Sequence, residues 1–157
     1  MKLVSRTDVE ATPEALFGAL TDRDWAEALA RRAGAVVERT GPAGAFAPGA
    51  GWDARFAHRG RERHLASRVA RLDPPGRLVL AGESKGFEGS AEVVLTPLSR
   101  QVTRLTVALE VRPRTFTARL ILQTLKIGKG RLKERLDARV AALGAVLRDR
   151  ACQRESR

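Results

Sequence analysis

Apolar and polar positions change period along this chain, and each change marks an element. Leu3, Ser5, Thr7, Val9 and Ala11 alternate with Val4, Arg6, Asp8 and Glu10, which reads as a strand with its smaller or more apolar members on one face. The period then lengthens. Thr12-Pro13-Glu14 is a helix start: Thr12 can accept from free amides, Pro13 suits the first helical position, and Glu14 complements the positive helix end. Ala15, Leu16, Ala19 and Leu20 supply the inward stripe. Asp22 or Asp24 can cap a second short helix that carries Trp25 and Leu29 and ends near Gly34.

Strand-like segments separated by turn signals follow, at 35–40, 51–58, 62–72, 77–84, 88–95 and 102–112. With the first strand they make seven, and all but the first of the breaks between them suit hairpins. These breaks are a Gly/Ala/Pro stretch from Gly41 to Gly51, which is too long for a hairpin, then Arg59-Gly60, Asp73-Pro74-Pro75-Gly76, Lys85-Gly86, and 97–101, each short enough for one. Such a series predicts an antiparallel meander. In the last strand Leu105, Val107, Leu109 and Val111 take one face while Arg104, Thr106, Ala108 and Glu110 take the other, and Pro113 ends it. Beyond it, Ile121, Leu125, Leu132, Leu136, Val140, Leu143 and Leu147 recur at spacings of three, four or seven, which predicts one long helix with one buried face. Gly128-Lys129-Gly130 interrupts that helix, where each glycine costs about 1 kcal/mol relative to alanine, so a local bend is expected.

A strand, a helix pair, a six-strand meander and a terminal helix form the order of the helix-grip fold. Val9-Glu10-Ala11-Thr12-Pro13-Glu14-Ala15-Leu16-Phe17, followed by Leu20-Thr21-Asp22, resembles the opening motif of the START-like superfamily, also called SRPBCC. The turn into a strand at Asp73-Pro74-Pro75-Gly76-Arg77-Leu78 resembles a second recurrent feature, and the likeness spans nearly the whole chain. That superfamily includes lipid-transfer domains, the birch-pollen-allergen family and aromatic polyketide cyclases. The resemblance implies an α+β fold in which a curved seven-stranded antiparallel sheet wraps a long C-terminal helix, with two short helices after the first strand. It also implies an apolar cavity between sheet and helix, used across the superfamily for sterols, lipids, polyketides and similar ligands. A reaction is not implied, because the fold hosts carriers, sensors and enzymes alike.

Composition narrows the setting. The 157 residues suit one domain, expected over 1–151 with a short polar tail at 152–157. The start of the chain lacks an apolar signal core, no apolar run reaches the roughly 20 residues of a membrane span, and Cys152 is the only cysteine, so a cytoplasmic setting is expected. Net charge is +11, and from Thr115 onward eleven Lys and Arg face four acids. Such an excess can be a solvated helix face or can attract anionic partners. Few aromatics are interleaved with the basic residues, so no nucleic-acid partner is expected, whereas weak contact with an anionic membrane surface stays open.

Expected ligand-binding positions are Trp52, Phe56 and His58 on one strand, Leu80, Val93, Leu95, Val107 and Leu109 on others, and Ile121 and Leu125 on the helix. The alternative for the two aromatics is that they fill the core. Of the two histidines, His58 and His64, His58 is the candidate general base for a cyclase- or dehydratase-like reaction, beside Ser67 or Ser84, because imidazole suits proton transfer near neutral pH. Spacing names no acid partner for it. The donor set supports no metal site and no cofactor is expected, so the leading reading is a binder of a small apolar or amphipathic ligand. Oligomeric state is not encoded in these patterns. A third reading, an interaction module using the basic helix, also follows from the charge distribution.

Overall fold

A computed structural model describes residues 1–156. In it β1 (Lys2–Val9) leads through Thr12 into α1 (Pro13–Leu20), where the Thr12 hydroxyl accepts from the Ala15 amide at 3.2 Å and Pro13 opens the helix. Asp22, rather than Asp24, caps α2 (Arg23–Arg32) by accepting from the Trp25 amide at 3.2 Å. That bond and the Arg150 guanidinium beside it hold the Asp22 carboxyl below its ordinary range. Past α2, Gly34 takes a φ of +96°, a conformation open to glycine at little cost.

The meander then runs β2 (Val36–Thr40), β3 (Gly51–His58), β4 (Arg61–Asp73), β5 (Arg77–Ser84), β6 (Phe87–Pro97) and β7 (Thr103–Pro113). All seven strands join in one antiparallel sheet of order β1-β7-β6-β5-β4-β3-β2. Directly opposed residues share a face, so the register assigns the helix-side surface row by row. One row is Leu78, Val93, Val107 and Ser5, the next Leu80, Ala91, Leu109 and Leu3, and the next Trp52, Ser67, Gly82, Gly89 and Val111.

Two helices complete the chain, α3 (Phe116–Ile127) and α4 (Lys129–Glu155). The break at Gly128 falls where the sequence interrupts itself, and α4 continues through Cys152 to Glu155, so most of the expected polar tail is helical. The break also resets the buried phase. On α3 the inward residues are Ala118 and Leu122, with Leu125 half-buried, while Ile121 stays 45% exposed. α4 seats against β1 and α1. Leu147 is fully buried there with Leu16 and Leu105, and the Ser5 hydroxyl donates to Asp137 at 2.5 Å. A Cβ on Gly144 would lie 2.8 Å from Thr7 Cγ2, so this glycine sets how closely helix and strand approach. The structure is that of the helix-grip fold.

Candidate functional site

Seen from the helix side, the sheet has a packed end and an open end. At the packed end Val9, Leu16, Phe17, Leu105, Val140 and Leu147 fill the space under α4. At the open end a cavity of about 430 Å³ lies on β4 to β7, with mainly apolar walls that include Leu65, Leu80, Phe87, Ala91, Leu109 and Val111. The space exists because the side chains there are small. Gly82 and Gly89 oppose each other across β5 and β6, and Ser67 and Ala91 sit in neighbouring positions. Neither glycine is idle: a Cβ on Gly89 would meet the Glu110 carbonyl at 2.6 Å, and one on Gly82 would meet the Leu65 side chain at 3.3 Å.

The expected wall residues separate into three groups. Leu80 and Leu109 line the cavity. Val93, Leu95, Val107 and Trp52 are buried in the solid core instead, because α1 and α4 cover the rows of Val93, Leu95 and Val107, and the loop after β2 covers Trp52. Trp52, 8% exposed, packs with its ring centroid 5.6 Å from that of Phe46 and with the Arg23 guanidinium 4.9 Å over its face. Phe56 and His58 share its sheet face but lie further toward the β3–β4 tip, where the surface is exposed. Ile121 faces outward, and Leu125 lines a second, smaller cleft.

Neither histidine meets the requirements of a catalytic pair. His58 has no ion-pair or side-chain hydrogen-bond partner among the described residues, and His64 lies 3.8 Å from Asp53 on the opposite face of the sheet. Ser84 donates to the His64 carbonyl at 2.7 Å, so its proton is engaged with backbone. No group of three or more His, Cys, Asp or Glu comes together among the described residues.

Two buried charges escaped the sequence reading. Arg23 and Glu27 lie one turn apart on α2 and are only 5% and 4% exposed, whereas Leu29 of the same helix is exposed. Arg23 donates to the Gly51 carbonyl at 2.7 Å, with longer contacts to the carbonyls of Thr40, Pro42 and Gly44. It thereby anchors the glycine-rich loop after β2, whose residues offer few side chains of their own. Glu27 accepts from Arg39 at 2.7 and 2.8 Å, and that guanidinium holds the Glu27 carboxyl below its ordinary value of 4.5. The available signal was a four-residue spacing of opposite charges, which in sequence reads as a solvated pair.

The second cleft, about 270 Å³, lies between the β3–β4 tip and the junction of α3 with α4. Arg59, Arg131 and Arg135 line it together with Leu125 and Leu132, and no carboxylate lies within ion-pair reach of these three arginines among the described residues. Arg59 holds a φ of +52° at the hairpin tip, a conformation uncommon outside glycine and asparagine.

No family model and no curated protein matches the chain. Solved structures do. A point mutant of norcoclaurine synthase from Thalictrum flavum, in complex with a transition-state analogue, is similar at a TM-score of 0.67 and 14% identity, covering 99% of this chain and 96% of that one. A Thermus thermophilus protein is similar at a TM-score of 0.63 and 14% identity, covering 98% of each chain. A protein from Chromobacterium violaceum is similar at 0.59 and 19% identity, over 91% of this chain and 96% of the other. At such identities the likeness is one of fold.

Proposed function

We propose that this chain, which has the helix-grip fold of the START-like superfamily, binds one small apolar or amphipathic molecule in the cavity on β4 to β7. The observation that carries the reading is the opposed pair Gly82 and Gly89, which leaves a space of about 430 Å³ beside the packed end of the same face. That volume is in the range of small-molecule sites. Its mainly apolar walls favour a ligand held by burial rather than by hydrogen bonds: an eight-carbon chain would gain about 6 kcal/mol before ordering costs are subtracted. The hydroxyl oxygens of Ser67 and Ser84, on the cavity side of the sheet, suit orientation of a ligand's polar end. Norcoclaurine synthase, with the same fold, has been seen with a transition-state analogue, which supports small-molecule binding by this fold. Binding is favoured over catalysis here because His58, the candidate base, stands exposed and without an acid partner among the described residues.

The test uses native mass spectrometry of gently purified protein, followed by titration of the neutral fluorophore N-phenyl-1-naphthylamine. Gly82→Leu should fill the cavity, since the nearest obstacle is the flexible end of Leu65. A bound apolar adduct or saturable fluorescence in the wild type, lost in Gly82→Leu, is the expected result. Equal behaviour of the two proteins would overturn the reading.

A further inference from the structure

An amphipathic helix that covers a sheet should be polar on its outer side, and α3 is not. Its inner face carries Ala118, Leu122 and Leu125, yet Phe116, Leu120 and Ile127, spaced by four and seven residues, form a second apolar stripe on the opposite side. These three are 73%, 49% and 88% exposed. Three large apolar side chains aligned on one exposed stripe are more than scattered surface residues and mark a contact surface.

The charge around the stripe identifies what it contacts. From Thr115 to Arg131 the chain has four cations, Arg119, Lys126, Lys129 and Arg131, and no acid, whereas the next cation, Lys133, is paired with Asp137. The cleft beside the α3–α4 junction adds Arg59 and Arg135, and no carboxylate lines it among the described residues. The carboxyl end of α3 and the amino end of α4 meet at Gly128, so their opposite end charges offset each other and the positive field comes from the side chains. A second copy docking through this stripe would bring like charges together, and so would any cationic partner. An anionic lipid surface fits both features: it accepts the apolar stripe at the headgroup boundary and neutralises the cations around it.

We propose that α3 and the cations at its junction with α4 form a docking surface for an anionic bilayer, with Phe116, Leu120 and Ile127 entering the headgroup boundary. Lys126, in the last turn of α3, and Lys129, the first residue of α4, are both exposed, and the cleft of Arg59, Arg131 and Arg135 receives a lipid phosphate. This surface is distinct from the cavity on β4 to β7 and does not depend on whether that cavity is filled.

The experiment is sedimentation of the full chain with vesicles of phosphatidylcholine alone and of phosphatidylcholine mixed with phosphatidylglycerol. Binding is expected only with the anionic vesicles, and it should weaken as salt is raised. Lys126→Gln with Lys129→Gln should reduce partitioning by about 25-fold, at roughly fivefold for each charge removed. Phe116→Ser with Ile127→Ser should reduce it by tenfold or more, by the order of magnitude that two exposed apolar anchors supply. All four side chains are exposed, so unchanged circular dichroism is expected to accompany either loss. Equal binding to both vesicle types, no binding to either, or full binding by the Phe116/Ile127 variant would overturn the proposal. So would concentration-dependent dimerisation of the wild type that this variant abolishes, which would give the stripe to a second copy.

Discussion

The two ends of the helix-side face are built from the same strands and differ in the size of their side chains. Under α4, the rows of Leu105 and of Val107 with Val93 meet Val140, Leu147 and α1 in one buried cluster. One or two rows past Val107, the same strands present Ala91, Gly82, Gly89 and Ser67, and the sheet keeps its course over an open space. The gain in stability is concentrated at one end, which frees the other to hold a guest. A continuous sheet can carry both because its backbone ladder is indifferent to side-chain volume, while packing is not.

The comparison is sharpest where a large side chain is removed from each end. Leu147→Ala, at a fully buried site, should cost about 3 to 5 kcal/mol in urea unfolding, whereas Leu80→Ala, at the cavity wall, should cost about 1 to 2. Equal losses would mean that the open end is as tightly packed as the other. A smaller effect separates two glycines of α4. Gly144→Ala would place a Cβ 2.8 Å from Thr7 and should cost about 1 to 3 kcal/mol. Gly130→Ala meets nothing within 4 Å and should gain up to about 1 kcal/mol through helix propensity, which thermal melts would register as shifts of opposite sign.

The smallest effect concerns Glu27, outside both ends. Its carboxyl titrates lower in the folded chain than its ordinary 4.5, chiefly because Arg39 is hydrogen-bonded to it. Its contribution is therefore present above pH 4.5 and is lost as pH falls through the lowered folded value. Glu27→Gln should flatten the fall in urea midpoint below pH 4.5 relative to the wild type, and parallel profiles would remove Glu27 from the acid response.

Several elements were legible in the sequence because their signals are local. Thr12, Pro13 and Glu14 start α1 where the residues themselves can satisfy or favour a helix end, and 51–58 and 77–84 coincide with β3 and β5 because alternation and flanking turns act over a few residues. The site was legible only in part. Alternation placed Leu80 and Leu109 on the right face with Val93 and Val107, and could not distinguish a cavity wall from solid core. Trp52 looked equally suited to either, and the Arg23 guanidinium and Phe46 that cover it come from segments the strand pattern says nothing about.

The amino-acid order by itself determined the number and sequence of strands, the start of α1, the break near Gly128 and the excess of positive charge toward the C-terminus. These depend on neighbours within a turn or a hairpin. Tertiary structure alone decided that Arg23 and Glu27 are buried while Leu29 is not, that Leu122 rather than Ile121 turns inward, and that α4 closes one end of the sheet and leaves the other open. Each of those outcomes depends on which distant surface arrives opposite a residue and how much volume it brings, and chain periodicity carries direction without volume.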